Sequence, residues 1–445
     1  MTLNLPTDFQ NKYQELLGDR YETFQEALNQ SAVEGFRLNP LKENFQDVKN
    51  DLSQKIEYSD FSYFGKINGN SLEHLSGYLY SQDPSAMYVG EVLNPQPGER
   101  VLDLCAAPGS KTTYLASKMQ NKGLLVANEI NTSRAKILSY NVERMGITNT
   151  VVLNNRPDQL LKDFSGYFDK IVVDAPCSGE GLFRKDPDAI DYWSLDYVEQ
   201  CANRQREILK TAFELLKPGG TIVYSTCTFA PEEDEKNAMW FADNFDLRIQ
   251  DIKKYFGMEG GRPDWCDNDQ RATKFLRMFP DQFAGEGHFI SKFVKSGELK
   301  NSQESTAVTS KDDIQLFNDF SRDNLKTSFS NLKRNNDHLE ATVIATSQID
   351  KKVKILRNGL RLGTFKKNRF EPDHALILAI RKNDLTTVIE LTEEQYKKYL
   401  HGETVIVKTD AKNSWIGVSY QSKLFSWGKL VNQTIKNFYP KGLRQ

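Results

Sequence analysis

The sequence predicts an α/β protein built on a doubly wound parallel sheet, with a small helical segment before the sheet and an α+β region after it. Between Gly77 and Lys295, short apolar runs alternate with long helical stretches, as in parallel strands joined by crossover helices. Apolar residues from about 5 to 75 recur at helical spacing, whereas residues 342–362 and 404–430 alternate as short strands do. The 445 residues are enough for two to four domains of ordinary size.

We divide the chain into four parts. Residues 1–75 are predicted to form an N-terminal helical subdomain, and residues 76–295 the doubly wound domain. Residues 296–340 are predicted to be a linker with one helix, because their first half is polar and rich in Ser and Thr. Residues 341–445 are predicted to form a basic region of one or two small modules.

The predicted sheet has five parallel strands, and each is followed by a turn or a helix. A further strand, Gly287–Lys295, alternates like an antiparallel edge strand and predicts that the sheet ends in a hairpin. Helices are expected to begin near Ser110, Thr132, Asn203 and Glu232. The predicted parallel strands are Arg100–Cys105, Leu124–Asn128, Thr150–Asn154, Lys170–Asp174 and Thr221–Ser225.

Composition excludes several classes of protein. Mean hydropathy is −0.58, and the apolar run Ala375–Ile380 is far shorter than the ~20 residues that a membrane span needs. The N-terminal segment lacks the basic start and apolar core of a secretory signal, so we expect a cytoplasmic location and no membrane contact. Five dispersed cysteines and five histidines indicate neither a disulfide framework nor a metal site.

Positive charge is concentrated near the end of the chain. Residues 351–382 hold ten Lys or Arg against two acids, and residues 411–445 hold six basic residues and no acid. Basic side chains that neutralise phosphates release counterions, so this distribution indicates nucleic-acid binding. A solvated basic face would have the same composition, and charge alone does not separate the two.

A loop of small residues follows the first predicted strand, and its backbone would allow a ligand to approach closely. It lacks the glycines of a phosphate-binding or dinucleotide-binding loop. Glu129 ends the second strand, where a carboxylate can accept hydrogen bonds from both ribose hydroxyls. The loop and Glu129 together indicate a site for S-adenosylmethionine. A helix-capping loop and an unrelated surface acid would explain the same residues. The loop residues are Cys105, Ala106, Ala107, Pro108, Gly109, Ser110 and Lys111.

Two cysteines follow the fourth and fifth predicted strands. Cys177 lies in Asp174-Ala-Pro-Cys-Ser-Gly179, and Cys227 lies in Ser225-Thr-Cys-Thr228. Because consecutive parallel strands usually lie side by side, both thiols and the Asp174 carboxylate should face one cleft beside the loop. A single buried cysteine is most often inert, but two at equivalent strand ends favour chemistry.

These motifs resemble those of the RNA cytosine-C5 methyltransferases of the Fmu/Nop2/Sun family, over roughly residues 35–295. The segment Gly359–His374 and the long C-terminal part resemble the bacterial 16S ribosomal RNA branch, which is RsmF/YebU-like. The resemblance implies a Rossmann-like S-adenosylmethionine-dependent domain and a PUA-like C-terminal region. It also implies that residues 1–75 contact RNA and that residues 341–445 bind RNA. It further implies that Cys105–Lys111, Glu129 and Asp174 bind the cofactor.

The resemblance also implies that Cys227 is the nucleophile. Cytosine C5 is a weak nucleophile until a thiolate adds to C6, and a thiolate both attacks and leaves readily. Asp174, with a pKa raised by a dry strand end, would orient the base, and Cys177 would assist release. Many family members carry an acid near the adenine where this chain has Arg156, with Asp158 two residues later.

The expected reaction is methylation of cytosine C5 in RNA. The expected substrate is 16S ribosomal RNA, either free or in the small ribosomal subunit, and the expected state is a monomer. One alternative is the same reaction on transfer RNA; another is a ribosome-assembly factor that binds RNA without catalysis.

Several other side chains have two interpretations at this level. Trp193 and Trp240 are favoured as core residues over stacking platforms. Arg184 and Lys185 would either contact phosphates or form a plain surface pair. Six C-terminal aromatics would either stack on unpaired bases or build a core. These are Trp415, Tyr420, Phe425, Trp427, Phe438 and Tyr439.

Overall fold

The computed structural model describes residues 3–299, 314–345 and 349–444. Its centre is a ten-stranded mixed sheet, and smaller sheets lie before and after it along the chain. Among the described residues, no helix is both long and apolar enough to cross a membrane.

The N-terminal part is only partly helical. Two helices, α1 (Thr7–Leu17) and α2 (Tyr21–Leu28), precede a three-stranded antiparallel sheet in the order β2-β1-β3. The strands were not predicted because each is only three or four residues long. The remaining elements are β1 (Gly35–Leu38), β2 (Ser62–Phe64), α3 (Leu72–Leu75) and β3 (Leu79–Ser81).

The middle part has the alternation that the sequence predicts. Its buried strands consist mainly of Val, Leu and Ile, which suit a sheet covered on both faces. In chain order the elements are α4 (Pro84–Leu93), β4 (Arg100–Asp103), α5 (Ser110–Met119), β5 (Leu124–Asn128), α6 (Thr132–Arg144), β6 (Thr150–Leu153), α7 (Leu161–Phe164), β7 (Phe168–Asp174), α8 (Ala189–Tyr192), α9 (Leu195–Leu215), β8 (Leu216–Thr226), α10 (Glu235–Asn244), β9 (Leu247–Ile249), β10 (Met258–Gly260), β11 (Leu276–Met278) and β12 (His288–Lys295).

The C-terminal part contains a four-stranded and a five-stranded sheet, ordered β13-β14-β16-β17 and β18-β20-β21-β22-β19. The predicted α+β character is therefore confirmed. The elements are α11 (Gln315–Asn324), β13 (Leu332–Asn335), β14 (His338–Ala341), β15 (Ile355–Asn358), β16 (Leu360–Lys366), β17 (Arg369–Pro372), α12 (His374–Ala379), β18 (Val388–Glu390), α13 (Glu393–Leu400), β19 (Val405–Ile406), β20 (Ser414–Tyr420), β21 (Lys423–Val431) and β22 (Thr434–Asn437).

The strand order of the central sheet places the functional loops. The order is β10-β11-β12-β8-β7-β4-β5-β6-β15, with β9 also paired to β12, and β4 to β8 are parallel. The chain runs outward from β4 to β6 on one side and from β7 to β8 on the other. Ligands of such sheets bind at the carboxyl ends of the strands where this reversal occurs.

All five predicted parallel strands are present, with small differences at their ends. The helix expected near Asn203 begins earlier, at Leu195, because the Ser194 hydroxyl accepts the Tyr197 N–H and caps it. The strand β12 is antiparallel as predicted. It is not an edge strand, because β11 pairs with one side of it and β8 with the other.

The strand β15 joins the central sheet beside β6, where Ile355 lies opposite Leu153 and Asn358 opposite Val151. A segment that the sequence assigns to the C-terminal region is therefore part of the central sheet. The division at residue 341 remains a prediction, and β15, which follows it in the chain, pairs with β6, which precedes it. Residues 300–313 of the predicted linker lie outside the described residues.

The C-terminal aromatics mainly build a core. Trp415, Phe425, Trp427 and Tyr439 are buried, and Trp427 donates its Nε1–H to the Asp373 carbonyl. Because these rings pack against other buried side chains, the alternative of stacking on bases is wrong for these four.

Candidate active site

A cavity of about 630 Å³ opens at the carboxyl ends of β4, β5, β7 and β8. All but one of the predicted site residues line it, including Glu129, Asp174, Cys177 and Cys227. The exception is Gly109, a loop residue that does not face the cavity. The fold thus brings residues far apart in the sequence to one place.

The loop between β4 and α5 forms one wall. Gly109 precedes α5 with φ = 110°, and a side chain there would lie 3.1 Å from the Leu138 side chain, so a glycine is required. Behind the loop, Thr112 donates a 2.6 Å hydrogen bond to Asp103. Burial nonetheless raises the pKa of Asp103 to about 7. Burial also raises the pKa of the Cys105 thiol, so this cysteine stays neutral.

Glu129 lies at the end of β5 with only 4% of its surface exposed. Its Oε1 accepts the Asn131 N–H at 2.7 Å, and its Oε2 lies 3.9 Å from Arg134 Nη1. Two apolar residues, Ile130 and Pro157, line the cavity nearby, and Ile130 is 61% exposed. A carboxylate beside an uncovered apolar surface suits a ribose joined to a flat base.

The donor set fits S-adenosylmethionine. Small residues of the loop leave room for a polar chain, Glu129 provides an acceptor for hydroxyls, and Ile130 offers an apolar surface. Arg156 and Asp158 are exposed and bind each other, with Nη2–Oδ2 at 3.0 Å. Neither lines the cavity, whereas Pro157 between them does.

Asp174 ends β7 and is ionised. Its Oδ2 lies 2.6 Å from Lys111 Nζ, while its Oδ1 accepts the Ser225 hydroxyl at 2.8 Å and lies 3.4 Å from His288 Nε2. Burial acts to raise the pKa of Asp174, but Lys111 and His288 together hold it well below its usual range. The expectation of a raised pKa is therefore wrong, because it overlooked the paired lysine.

The two cysteines face each other across the cavity floor. Their Sγ atoms are 3.3 Å apart, within contact distance of a thiol and a sulfur acceptor. The Gly181 N–H donates to the Cys227 carbonyl at 2.9 Å and ties the two loops together. The hydrogen bond to Cys227, together with burial, raises the pKa of Cys177, which therefore keeps its proton at neutral pH.

Four family descriptions match the chain in order. These are the N-terminal domain of 16S rRNA methyltransferase RsmF at residues 5–84 and 16S rRNA methyltransferase RsmB/F at 90–294. The RsmF rRNA methyltransferase first C-terminal domain matches residues 319–380, and the methyltransferase RsmF PUA domain matches 386–445.

Two relatives carry the description "Ribosomal RNA small subunit methyltransferase F". The protein of Aliivibrio salmonicida is 32% identical over 99% of this chain and 97% of its own length. The protein of Shewanella loihica is 33% identical over 84% of this chain and 79% of its own. This chain belongs to the RsmF family.

A solved structure agrees with this assignment. The crystal structure of a methyltransferase homolog protein from Pyrococcus horikoshii has a TM-score of 0.59 and 30% identity, covering 66% of this chain and 96% of that chain. The predictions of a Rossmann-like domain, a PUA-like C-terminal part, an RNA methyltransferase and S-adenosylmethionine as cofactor are thus confirmed for this RsmF family member.

Sequence reasoning missed a buried network that supports the Cys177 loop in this RsmF family member. Glu233 accepts hydrogen bonds from the Ser178 N–H at 3.0 Å, from the Ser178 hydroxyl at 2.5 Å and from Gln205 Nε2 at 2.7 Å. Burial, together with the nearby Glu180 carboxylate, raises the pKa of Glu233 to about 8 in spite of these donors. The acidic run that follows Cys227 contained this residue but gave no sign of its burial.

A second buried carboxylate joins the N-terminal helices to the site. Glu180 accepts hydrogen bonds from the Tyr13 hydroxyl at 2.5 Å, from Trp193 Nε1 at 2.9 Å, from the Thr228 hydroxyl at 2.7 Å and from the Phe229 N–H at 2.9 Å. Trp193 is 5% exposed, which confirms its expected place in the core.

Arg184 does not face solvent. Its side chain is 3% exposed and binds Glu286 at 2.7 Å, and it donates to the Gly285 carbonyl at 2.6 Å. A phosphate contact by Arg184 is therefore excluded, because its guanidinium is used inside the protein. Lys185 is 33% exposed and lies 3.1 Å from Asp83.

His288 is another residue that sequence reasoning missed. It begins β12, lines the cavity and is 3% exposed, with Nδ1 3.2 Å from the Gly287 carbonyl. Its only signal in the sequence was its place at the start of a predicted strand.

Proposed function

We propose that this chain transfers a methyl group from S-adenosylmethionine to C5 of cytosine in 16S ribosomal RNA through a covalent bond between Cys227 and C6. The observation that carries the proposal is the pair of sulfur atoms 3.3 Å apart in the same cavity as the cofactor loop and Asp174. A methyltransferase that modified an oxygen or an exocyclic nitrogen would need no thiol there, because such atoms are nucleophiles already.

We propose that Cys105–Lys111, Glu129 and Asp174 bind the cofactor. S-adenosylmethionine, when bound, supplies an electrophilic methyl group. Glu129 receives the ribose hydroxyls, and Ile130 and Pro157 provide the apolar contact for the adenine. Arg156 and Asp158 bind each other outside the cavity, so neither supplies the acid that many family members carry near the adenine.

Attack begins at Cys227, whose thiolate adds to C6 of the cytosine and turns C5 into an enamine carbon. The structure supports Cys227 rather than Cys177 on two grounds. The raised pKa of Cys177 keeps its proton available to the Cys227 sulfur 3.3 Å away, and the Lys111 ammonium, which binds Asp174, also interacts electrostatically with Cys227. Both groups stabilise negative charge on that sulfur.

The ionised Asp174 acts as an acceptor. It can accept a hydrogen bond from the exocyclic amine of the cytosine while Lys111 and Ser225 hold its oxygen atoms. After C5 takes the methyl group, its proton must leave to a base so that the electrons of that bond expel the Cys227 thiolate. Because Cys177 keeps its own proton, the base in this release step is a water molecule that the Cys177 thiol orients, and this water accepts the C5 proton as the Cys227 thiolate leaves.

The chain's own charge distribution supports RNA as the partner. The region 341–445 contains the matched PUA domain and most of the uncompensated basic residues, and we propose that it and residues 1–75 bind RNA beside the catalytic region 76–295. We propose that a cytoplasmic monomer acts on ribosomal RNA or on the small subunit.

The test is methylation of three separate substrates with isotopically labelled S-adenosylmethionine: free 16S ribosomal RNA, small ribosomal subunits and transfer RNA. Bisulfite sequencing then locates any 5-methylcytosine. Label at a 16S cytosine supports the proposal, and label confined to transfer RNA favours the alternative substrate. Label at a base other than cytosine would overturn the covalent mechanism, and cofactor binding without any transfer would favour an assembly factor.

A further inference from the structure

A basic groove leads away from the cavity along α9. It has a volume of about 500 Å³ and is lined by Asn203, Arg204, Arg206, Glu207, Lys210 and Trp240. Arg204 lines this groove and also the active-site cavity. The groove and the cavity therefore meet at one arginine.

The spacing along α9 explains this position. Tyr197, Arg204 and Ile208 line the cavity, and these positions share one face of a helix. Arg206 and Lys210 are four residues apart and lie on the far side of the helix from Arg204. Asn203 and Glu207, which also line the groove, lie between them and Arg204. Arg204 lies at the border between the cavity face and the groove.

Arg204 is exposed and has no hydrogen bond or ion pair with any residue that the structure describes. The other basic groups of the groove are held in place. Arg206 donates to Asn237 at 2.7 Å and its guanidinium lies 5.3 Å from the centre of the Trp240 ring, while Lys210 binds Glu207 at 2.6 Å. Glu207 is the only carboxylate among the residues that line the groove, so the lining is net positive.

We propose that this groove binds the single-stranded RNA next to the target cytosine, and that Arg204 contacts the phosphate at the mouth of the cavity. The inference rests on the proposed function, since the target base must enter the cavity while its strand stays outside. A guanidinium without a partner suits a phosphate, and the Trp240 ring with Arg206 offers a flat surface for a base. An acidic peptide would also suit the positive lining. Arg204, however, places the groove beside the cavity that takes the target base, and this position selects RNA.

The test measures binding of a single-stranded oligonucleotide that contains the 16S target region, with wild type and three variants of the full chain. Arg204→Gln should weaken binding about tenfold and lower the salt dependence by roughly 0.7 in slope, as expected for one lost phosphate contact. Arg204→Lys should recover most of the affinity. Lys122→Gln, which removes an exposed charge before β5 at the opposite edge of the sheet, should leave binding unchanged.

Equal affinity and salt slope in Arg204→Gln and wild type would overturn the proposal. Equal weakening in Arg204→Gln and Lys122→Gln would also overturn it, because a general loss of charge would then be the cause. Cofactor affinity of Arg204→Gln, which should match wild type, checks folding. Methylation by the wild type is measured separately, so a failure of the proposed reaction is distinguishable from a failure of the groove.

Discussion

The active-site cavity and the C-terminal region differ in which charged and aromatic side chains are buried. Around the cavity, charged side chains such as those of Glu180, Glu233 and Arg184 are buried, and each is bound to a partner inside the protein. In the C-terminal region the aromatic rings are buried, while basic residues such as Lys366 and Lys367 are exposed. From this comparison we predict that the reaction depends on single residues, whereas RNA binding depends on the summed charge of many residues.

The two thiols provide the largest expected effect. Cys227→Ala should abolish both methylation and any covalent adduct, because no step precedes its attack. Cys177→Ala should still attack and then resolve slowly, so it should accumulate an RNA–protein adduct. Denaturing electrophoresis with and without ribonuclease measures the adduct.

Cys201→Ala is the matched control for the thiols, since Cys201 is buried in α9 outside the cavity lining. It should retain methylation without an adduct. An adduct in the Cys227 variant and none in the Cys177 variant would reverse the two roles. Methylation retained in both variants would mean that neither thiol is the nucleophile.

Glu233 tests whether a buried carboxylate near the site controls stability. Its pKa is raised to about 8 in the folded protein, so the folded state binds more protons than the unfolded state. The contribution of Glu233 to the free energy of unfolding should be fully present below the pKa that this residue has in the unfolded state. It should fall by on the order of 4 kcal/mol as the pH rises to 8.

Urea unfolding between pH 5 and 9 measures the effect of Glu233. In Glu233→Gln, the free energy of unfolding should change less across this range, because a glutamine does not titrate. The same slope in the variant and in wild type would assign the pH dependence to other groups.

Glu129→Ala should weaken S-adenosylmethionine binding by about 1.5–3 kcal/mol, the usual contribution of hydrogen bonds to a charged group. Isothermal titration measures the dissociation constant. Asp158→Ala is the control and should leave it unchanged, because Asp158 is exposed and bound to Arg156. The opposite result would place the ribose or the adenine beside Asp158 instead.

The smallest expected effect lies in the C-terminal region. Lys366→Gln with Lys367→Gln should weaken RNA binding a few-fold and lower the salt slope, because each lysine neutralises at most one phosphate. Lys397→Gln with Lys398→Gln should have less effect, since Glu393 and Glu394 already bind these lysines at 2.7 Å. If both pairs behave alike, position within the region is irrelevant.

Deletion of residues 340–445 is a poorer test of the same comparison. It would remove β15 from the central sheet together with the basic residues. It would also uncover the core around β6, against which Val353 and Ile355 pack. A loss of cofactor binding in that deletion would therefore reflect damage to the sheet.

The sequence by itself determined the parallel strands and the placement of Asp174, Cys177 and Cys227 at their ends. Apolar runs of strand length and turn residues are local signals, and the carboxyl ends of adjacent parallel strands meet by geometry. For the same reason the cofactor loop and Glu129 could be located without coordinates.

Only the tertiary structure decided the protonation of Asp174, the burial of Glu233 and Arg184, and the joining of β15 to β6. Each depends on a partner far away in the chain, such as Lys111 for Asp174 or Glu286 for Arg184. Burial and pairing set the free energy of a charge, and neither is encoded by the residues beside it. The packing of distant segments therefore determines which charged groups of the site are buried or paired, whereas the strand pattern already predicts where the site lies.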